Sequence, residues 1–256
     1  MHLQITPHID VALIVLNAFF LFFLGLIVYL RREDRREGYP LEDELTGRQE
    51  SYGGPILMAS PKTFHLPFGN GSVTTPTKGR EAVDIAARRT DRFHGAPIEP
   101  TGNPLVDGIG PAAWAERANR PDLDWEGHPR IVPISHSDGF FVASGDADPR
   151  GFTVIGADGK PAGKVSDLWI DKADRMVRYL QVDLANGHQV LAPMAMATVD
   201  KTYARVSIDA ITAAQFSDAP KIAAKDRITF YEEERVVAYF GGGYLYATPD
   251  RAEPFL

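Results

Sequence analysis

The sequence predicts one membrane-spanning α-helix at the N-terminus, followed by a mainly-β domain that forms a small antiparallel barrel or sandwich and ends in a short helix. Three observations carry that class. Residues 11–30 read VALIVLNAFFLFFLGLIVYL, without a charge. Between about residues 151 and 231, short runs with period-two alternation recur, separated by turn signals such as Asp158-Gly159 and Asn186-Gly187. Past Glu232 the spacing of apolar residues changes and favours a terminal helix.

The helix comes first. Twenty residues at 1.5 Å each reach roughly 30 Å, the thickness of a bilayer's hydrocarbon core. Asn17 and Gly25 are the interruptions, and Tyr29 stands near one end, where an amphipathic ring suits the interface. A cleaved signal peptide fits poorly. No basic residue precedes the run, and Arg31-Arg32 follows it in place of a small-residue cleavage site. Arg31, Arg32, Arg35 and Arg36 lie directly beyond the span, whereas residues 1–10 hold no Lys or Arg. The positive-inside rule therefore puts residues 1–10 outside and the remainder in the cytoplasm, with the four arginines as a membrane-surface anchor able to meet anionic headgroups.

Residues 31–149 read as an extended, irregular segment. Thirteen of the 19 prolines fall in 40–149, and proline blocks helix continuation. Phe64, Leu66, Phe68, Phe93, Trp114, Ile131, Val132 and Ile134 provide anchors that disordered chains lack, so the expectation is an ordered layer lying on a partner. Residues 150–256 form the β domain. Runs 152–156, 163–171, 177–184, 188–193, 203–208 and 228–231 are its expected strands, with a type I′ hairpin at Asn186-Gly187. Leu168, Ile170, Leu180, Val182 and Leu184 would line the core, and Asp167, Trp169 and Asp171 would share the opposite face. The terminal helix is expected over 232–247, weakened by Gly241-Gly242-Gly243.

Composition narrows the chemistry. With no cysteine among 256 residues, disulfides, iron–sulfur clusters and thiolate catalysis are excluded. Thirty-four acidic against 27 basic residues give a net charge of -7, which argues against nucleic acid as partner. No nucleophile elbow, P-loop or H-E-x-x-H motif is present, so the chain is not expected to be an enzyme. The seven histidines show no metal-ligand spacing, and no native metal is expected. What stands out is ionisable. Asp122, Asp124, Glu126 and His128 alternate, and in extended chain they would point to one side. Like charges so placed raise one another's pKa, so the group could pick up protons or take a divalent cation adventitiously at Asp124 and His128. Asp171, Asp174 and Arg178 form a second group after a strand.

Long, ordered blocks spread over nearly the whole chain carry a resemblance. They are LRREDRREGYPL (30–41), PKTFHLPFG (61–69), PTGNPLVDGIGPA (100–112), RIVP (130–133), DADPRG (146–151), AGKVSDLWID (162–171) and YFGGGYLYATP (239–249). With its N-terminal span, the chain resembles the H-subunit family of the purple-bacterial photosynthetic reaction centre. The C-terminal blocks look like the PRC-barrel, a fold also used by adaptor proteins. The alternative is therefore a single-pass PRC-barrel adaptor for another cytoplasmic partner, and blocks 61–69 and 100–112 speak against it.

The resemblance implies a subunit of the intracytoplasmic (chromatophore) membrane that binds no pigment itself. It would cap the L and M subunits, which carry bacteriochlorophylls, bacteriopheophytins, quinones and a non-haem iron, and residues 31–149 would conform to them. Antenna polypeptides, a cytochrome subunit and membrane lipids are further partners to consider. The family's proton-entry motif, one Asp and two His in alternation ahead of the RIVP block, falls here on Asp124, Glu126 and His128. Glu126 in place of His should preserve proton pickup but weaken transition-metal binding. Deeper relay positions fall on Asp171, Asp174 (Asp where the family has Glu) and Arg178.

Overall fold

The computed structural model describes residues 4–6, 9–39, 58–76, 85–93 and 96–252, and within it the chain divides into two compact units. Parts of the proline-rich stretch read from the sequence, 40–57, 77–84 and 94–95, lie outside the described residues. The first unit comprises residues 1–83 and 91–97, the second 84–90 and 98–256.

In the first unit, β1 (Gln4–Thr6) and β2 (Ile9–Asp10) pair ahead of α1 (Val11–Glu33). Asp10 caps α1, its carboxylate accepting from the amides of Ala12 (2.9 Å) and Leu13 (3.4 Å). The apolar run sustains the helix, and Arg31 and Arg32 in the last turn complement its dipole. Mean hydropathy across the candidate span is 2.9 and none of it is buried. Asn17 satisfies itself, its side-chain amide donating to the Leu13 carbonyl at 2.8 Å. Beyond the helix lies an antiparallel hairpin, β3 (Lys62–His65) with β4 (Ser72–Thr75).

The second unit opens with β5 (Ala87–Arg89), β6 (Ile98–Pro100) and the single-turn α2 (Pro104–Asp107). Its main sheet is built from β7 (Ile131–Pro133), β8 (Thr153–Ile155), β9 (Pro161–Asp171), β10 (Met176–Leu184), β11 (Gln189–Pro193), β12 (Ala197–Asp200) and β13 (Arg205–Ile208). The strand order is β11-β10-β9-β8-β13-β12, antiparallel except for the parallel β8–β13 pair. Strand β9 is long enough to take two partners on one edge, β8 along 161–164 and β7 along 169–171.

The mainly-β domain and its terminal helix agree with the sequence reading, and Leu168, Ile170, Leu180, Val182 and Leu184 are all buried. The opposite face of β9 is buried as well: Asp167, Trp169 and Asp171 are each under 10% exposed. Leu105, Ala112, Ile131 and Ile134, from the proline-rich stretch, join this core.

Two local expectations change. The loop after β10 is not a type I′ turn. Of its residues only Gly187 takes a positive φ (79°), and the Gly187 amide bonds the Leu184 carbonyl at 3.0 Å. Asn186 instead uses its side chain to accept the His188 amide (3.0 Å), so a type I turn with a left-handed glycine replaces the mirror-image turn. Residues 228–231 are not a strand, because Thr229 caps α3 (Phe230–Tyr246) through a capping box with Glu232. The glycines inside α3 are packing devices: a Cβ at Gly242 would collide with Ala112, and one at Gly243 with the Ala210 backbone.

Candidate functional site

Ionisable side chains gather at two places in the second unit. The first is a tight turn over residues 123–129. Leu123 and Pro129 form an isolated antiparallel bridge, the Asp124 amide bonds the His128 carbonyl (2.8 Å), and the Gly127 amide bonds the Asp124 carbonyl (3.0 Å). It is this turn, not an extended strand, that brings Asp124, Glu126 and His128 together. Their candidate ligand atoms lie within 4.8 Å of one another, the only such group among the described residues. His128 Nδ1 is 3.6 Å from Glu126 and 3.8 Å from Asp124. Asp122 does not belong to the group, since its carboxylate pairs with Arg130 at 3.0 Å.

Asp124 also departs from the rise expected of crowded carboxylates. Its Oδ1 accepts the amides of His128 (2.8 Å) and Glu126 (3.0 Å), and the His128 amide is the largest cause of a pKa held below the ordinary carboxylate value. Lys172 stands 3.6 Å from the other oxygen.

The second place is a pocket of about 620 Å³ reached by Asp122, Arg130, Asp171, Asp174, Arg178, Tyr179 and Glu233. Register explains its floor. Ile131 pairs with Asp171 across β7 and β9, which sets Arg130 beside the end of β9. The Arg130 guanidinium binds Asp171 (2.8 Å), Asp122 (3.0 Å) and Asp174 (3.2 Å). Burial alone would push Asp171 up. The Asp174 amide, the Arg130 guanidinium and the Ala173 amide outweigh it and hold the carboxyl below its ordinary range. Asp174 is half-exposed at the pocket's edge.

Glu233, in the first turn of α3, behaves oppositely. Burial pushes its pKa up, against the Tyr179 hydroxyl donating at 2.8 Å and the Arg178 charge. Arg178 thus lines the same pocket, but its charge is felt at Glu233, while Arg130 is the cation that holds Asp171 and Asp174. Sequence reasoning missed Arg130, Tyr179 and Glu233. The Thr229-x-x-Glu232 capping signal was available to place Glu233 on a first helical turn, but nothing local ties residue 130 to residue 171.

The arginines after the span also divide. Arg31 pairs with Asp34 (3.3 Å), Arg32 reaches Ser60 Oγ (3.0 Å), and Arg35 lies over the Tyr39 ring. Arg36 departs from the surface-anchor expectation. It is 8% exposed and spends its donors on Glu33, the Ser60 carbonyl and the Thr75 carbonyl.

An apolar, unburied helix ahead of a seven-stranded sheet fits a membrane-anchored β protein, and residues 142–215 match the PRC-barrel domain. Residues 3–136, more than half of the chain, match the photosynthetic reaction centre H-chain N-terminal region. The chain belongs to the reaction-centre H-chain family. Membership makes it a structural subunit of an electron-transfer complex, associated with the L and M subunits, and separates it from a generic adaptor carrying a barrel alone.

Proposed function

We propose that this subunit caps the cytoplasmic face of L and M, with its N-terminus periplasmic, and conducts protons from the cytoplasm to the secondary quinone. The observation that carries the proposal is the opposed behaviour of two carboxyls in one pocket: Asp171 is held ionised and Glu233 is pushed toward its protonated form. Neighbouring titratable groups driven apart in this way, on the wall of one open pocket, mark candidates for holding and passing a proton.

A quinone buried in the complex takes two electrons and two protons, and charge in a dry site is costly until protons arrive. This chain's part is to bring them. At the surface, Asp124, held below its ordinary pKa, keeps a negative charge beside Glu126 and His128, whose carboxylate and imidazole Nδ1 lie 3.6 Å apart where the cytoplasm would supply protons. Inside, Asp174 at the pocket edge and Glu233 at its wall are the exchangeable groups. Asp171 and Arg130 hold the local field steady, and Arg178 keeps Glu233 from rising further. Residues 31–149 supply the layer that conforms to L and M.

The test is flash kinetics on the assembled complex. Asp174→Asn and Glu233→Gln should each slow the proton-coupled second electron transfer several-fold with assembly intact. Unchanged kinetics in both, and in an Asp171→Asn/Asp174→Asn double variant, would overturn the assignment.

A further inference from the structure

The hairpin β3–β4 is fastened to the C-terminal end of α1. Arg36 donates to the carbonyls of Ser60 (2.8 Å) and Thr75 (2.6 Å) and grips Glu33 through both oxygens (2.9 and 3.0 Å). Thr75 Oγ1 returns a bond to the Arg36 carbonyl at 3.0 Å. Glu33 also takes Lys62 Nζ at 2.8 Å, and that ammonium lies 5.5 Å from the centre of the Tyr29 ring. These contacts set the hairpin beside the last turn of the apolar run, at the level where a bilayer's acyl region gives way to headgroups.

The register pairs Lys62 with Thr75 and Phe64 with Val73. Side chains alternate along a strand, so the face that turns Lys62 toward Tyr29 also carries Phe64 and Val73, roughly 7 Å further along. The hydroxyls of Thr63 and Thr74 bond to each other at 2.8 Å on the other face. Phe64, Phe68 and Val73 are each about half exposed. Phe68, at the tip, has a φ of 57°, a left-handed conformation unusual for a bulky residue. The Leu66 amide to the Gly71 carbonyl (2.9 Å) and the Asn70 side chain to the Pro67 carbonyl (2.9 Å) hold that loop. Glycine or asparagine would take the conformation with less strain; here an apolar ring is held outward instead. Around the attachment stand five basic residues (Arg31, Arg32, Arg35, Arg36, Lys62) against three acidic ones (Glu33, Asp34, Glu37).

We propose that this hairpin is a membrane foot, with Phe64, Phe68 and Val73 seated at the headgroup–acyl boundary of the leaflet that α1 leaves, and Lys62, Arg31 and Arg32 against anionic headgroups. The proposal rests on the reading of α1 as a membrane span. Lipid is the occupant that continuity with the span and the basic surroundings favour, because apolar rings beside cations are the composition of interfacial anchors. Within the proline-rich stretch, this hairpin is the part assigned to lipid and not to protein.

This chain has no cysteine of its own, so it is labelled at one introduced position before assembly into the complex. Single variants Phe64→Cys, Phe68→Cys and Val73→Cys carry a nitroxide in the full chain, within its native complex, in vesicles of phosphatidylcholine and phosphatidylglycerol. Power-saturation EPR then compares collisions with oxygen, which concentrates in the acyl region, and with a water-soluble nickel chelate. Leu21→Cys and Phe23→Cys, on opposite sides of α1, report on the span itself. The expected result is that oxygen collisions exceed chelate collisions several-fold at 64, 68 and 73, and that adding Lys62→Glu shifts the label at 68 toward the chelate. Labels reached by neither reagent would mean a protein-covered face, and labels favouring the chelate would mean water. Either overturns the foot while oxygen-rich labels at 21 or 23 leave the span standing. Chelate-rich labels at both 21 and 23 would remove the span and the foot together.

Discussion

The turn at 123–129 and the pocket around Asp171 both gather carboxylates, yet they neutralise them by different means. At the turn, two peptide N–H groups satisfy Asp124, and Lys172 is 3.6 Å away. In the pocket, burial is deep enough that peptide dipoles alone would leave Asp171 costly, and a guanidinium shared among three aspartates completes the compensation. Glu233 has the Tyr179 hydroxyl and the more distant Arg178 charge in place of peptide donors and a bound guanidinium; burial outweighs them, and it is the carboxyl whose pKa rises. The difference separates groups that fix a charge from a group that can carry a proton. The two places are joined through the backbone: the Lys172 amide bonds the Arg130 carbonyl (3.0 Å), and the Arg130 amide bonds the Asp122 carbonyl (3.0 Å).

The contrast can be broken most directly at Arg130. Arg130→Met strands a buried carboxylate, and denaturant unfolding of the full chain should show a loss of about 3–5 kcal/mol. Adding Asp171→Asn should recover most of that loss. A single variant that unfolds like the parent would mean the guanidinium is not what compensates Asp171.

A smaller loss is expected at the turn. Asp124→Ala removes an acceptor of two amides and should cost about 1–2 kcal/mol, while Asp124→Asn, which keeps an acceptor oxygen, should cost less. Equal losses in the two variants would argue that the turn is held by something other than those bonds.

The pH dependence sharpens the comparison, because the two pocket carboxyls have opposite signs. Asp171 is lowered in the folded chain, so its contribution is present above its ordinary value of 3.8 and is lost as pH falls through the folded value. Glu233 is raised, so the folded state binds its proton more tightly and its ionisation opposes folding as pH climbs from 4.5 through the folded value. Glu233→Gln should therefore gain stability over the parent at neutral pH, with the gain vanishing below about pH 4.5. A difference that stays flat across a pH series of unfolding curves would contradict the raised pKa.

The smallest stability effect belongs to Glu126→His. Unfolding should be unchanged while Zn²⁺ binds more tightly in competition with a chromophoric chelator, because imidazole is the better ligand for that metal. Unaltered affinity would show that the turn holds its three side chains too loosely to act together.

Much of this architecture was legible one segment at a time. The span follows from twenty uncharged residues, and the faces of β9 and β10 follow from alternation, since both properties depend on near neighbours in the chain. That Asp124, Glu126 and His128 lie together was legible too, though for a mistaken reason: alternation suggested one face of an extended strand, whereas Asp124 folds the chain into a turn by accepting amides two and four residues on. The Asn186-Gly187 signal likewise marked a hairpin but not its turn type, because a side-chain bond to the His188 amide offered Asn186 another conformation.

By itself, then, the sequence determined where the long apolar helix lies, where the central strands β9, β10 and β11 run and which stretches are rich in ionisable groups, because hydropathy and periodicity are local. Only the tertiary structure decided what surrounds Asp171 and Glu233. Arg130 meets Asp171 across forty-one positions through the β7–β9 register, and Glu233 reaches the same pocket from a helix more than fifty residues further on. A pKa depends on burial and on the partners brought near it, and both are fixed by how the sheet and helix close over one another.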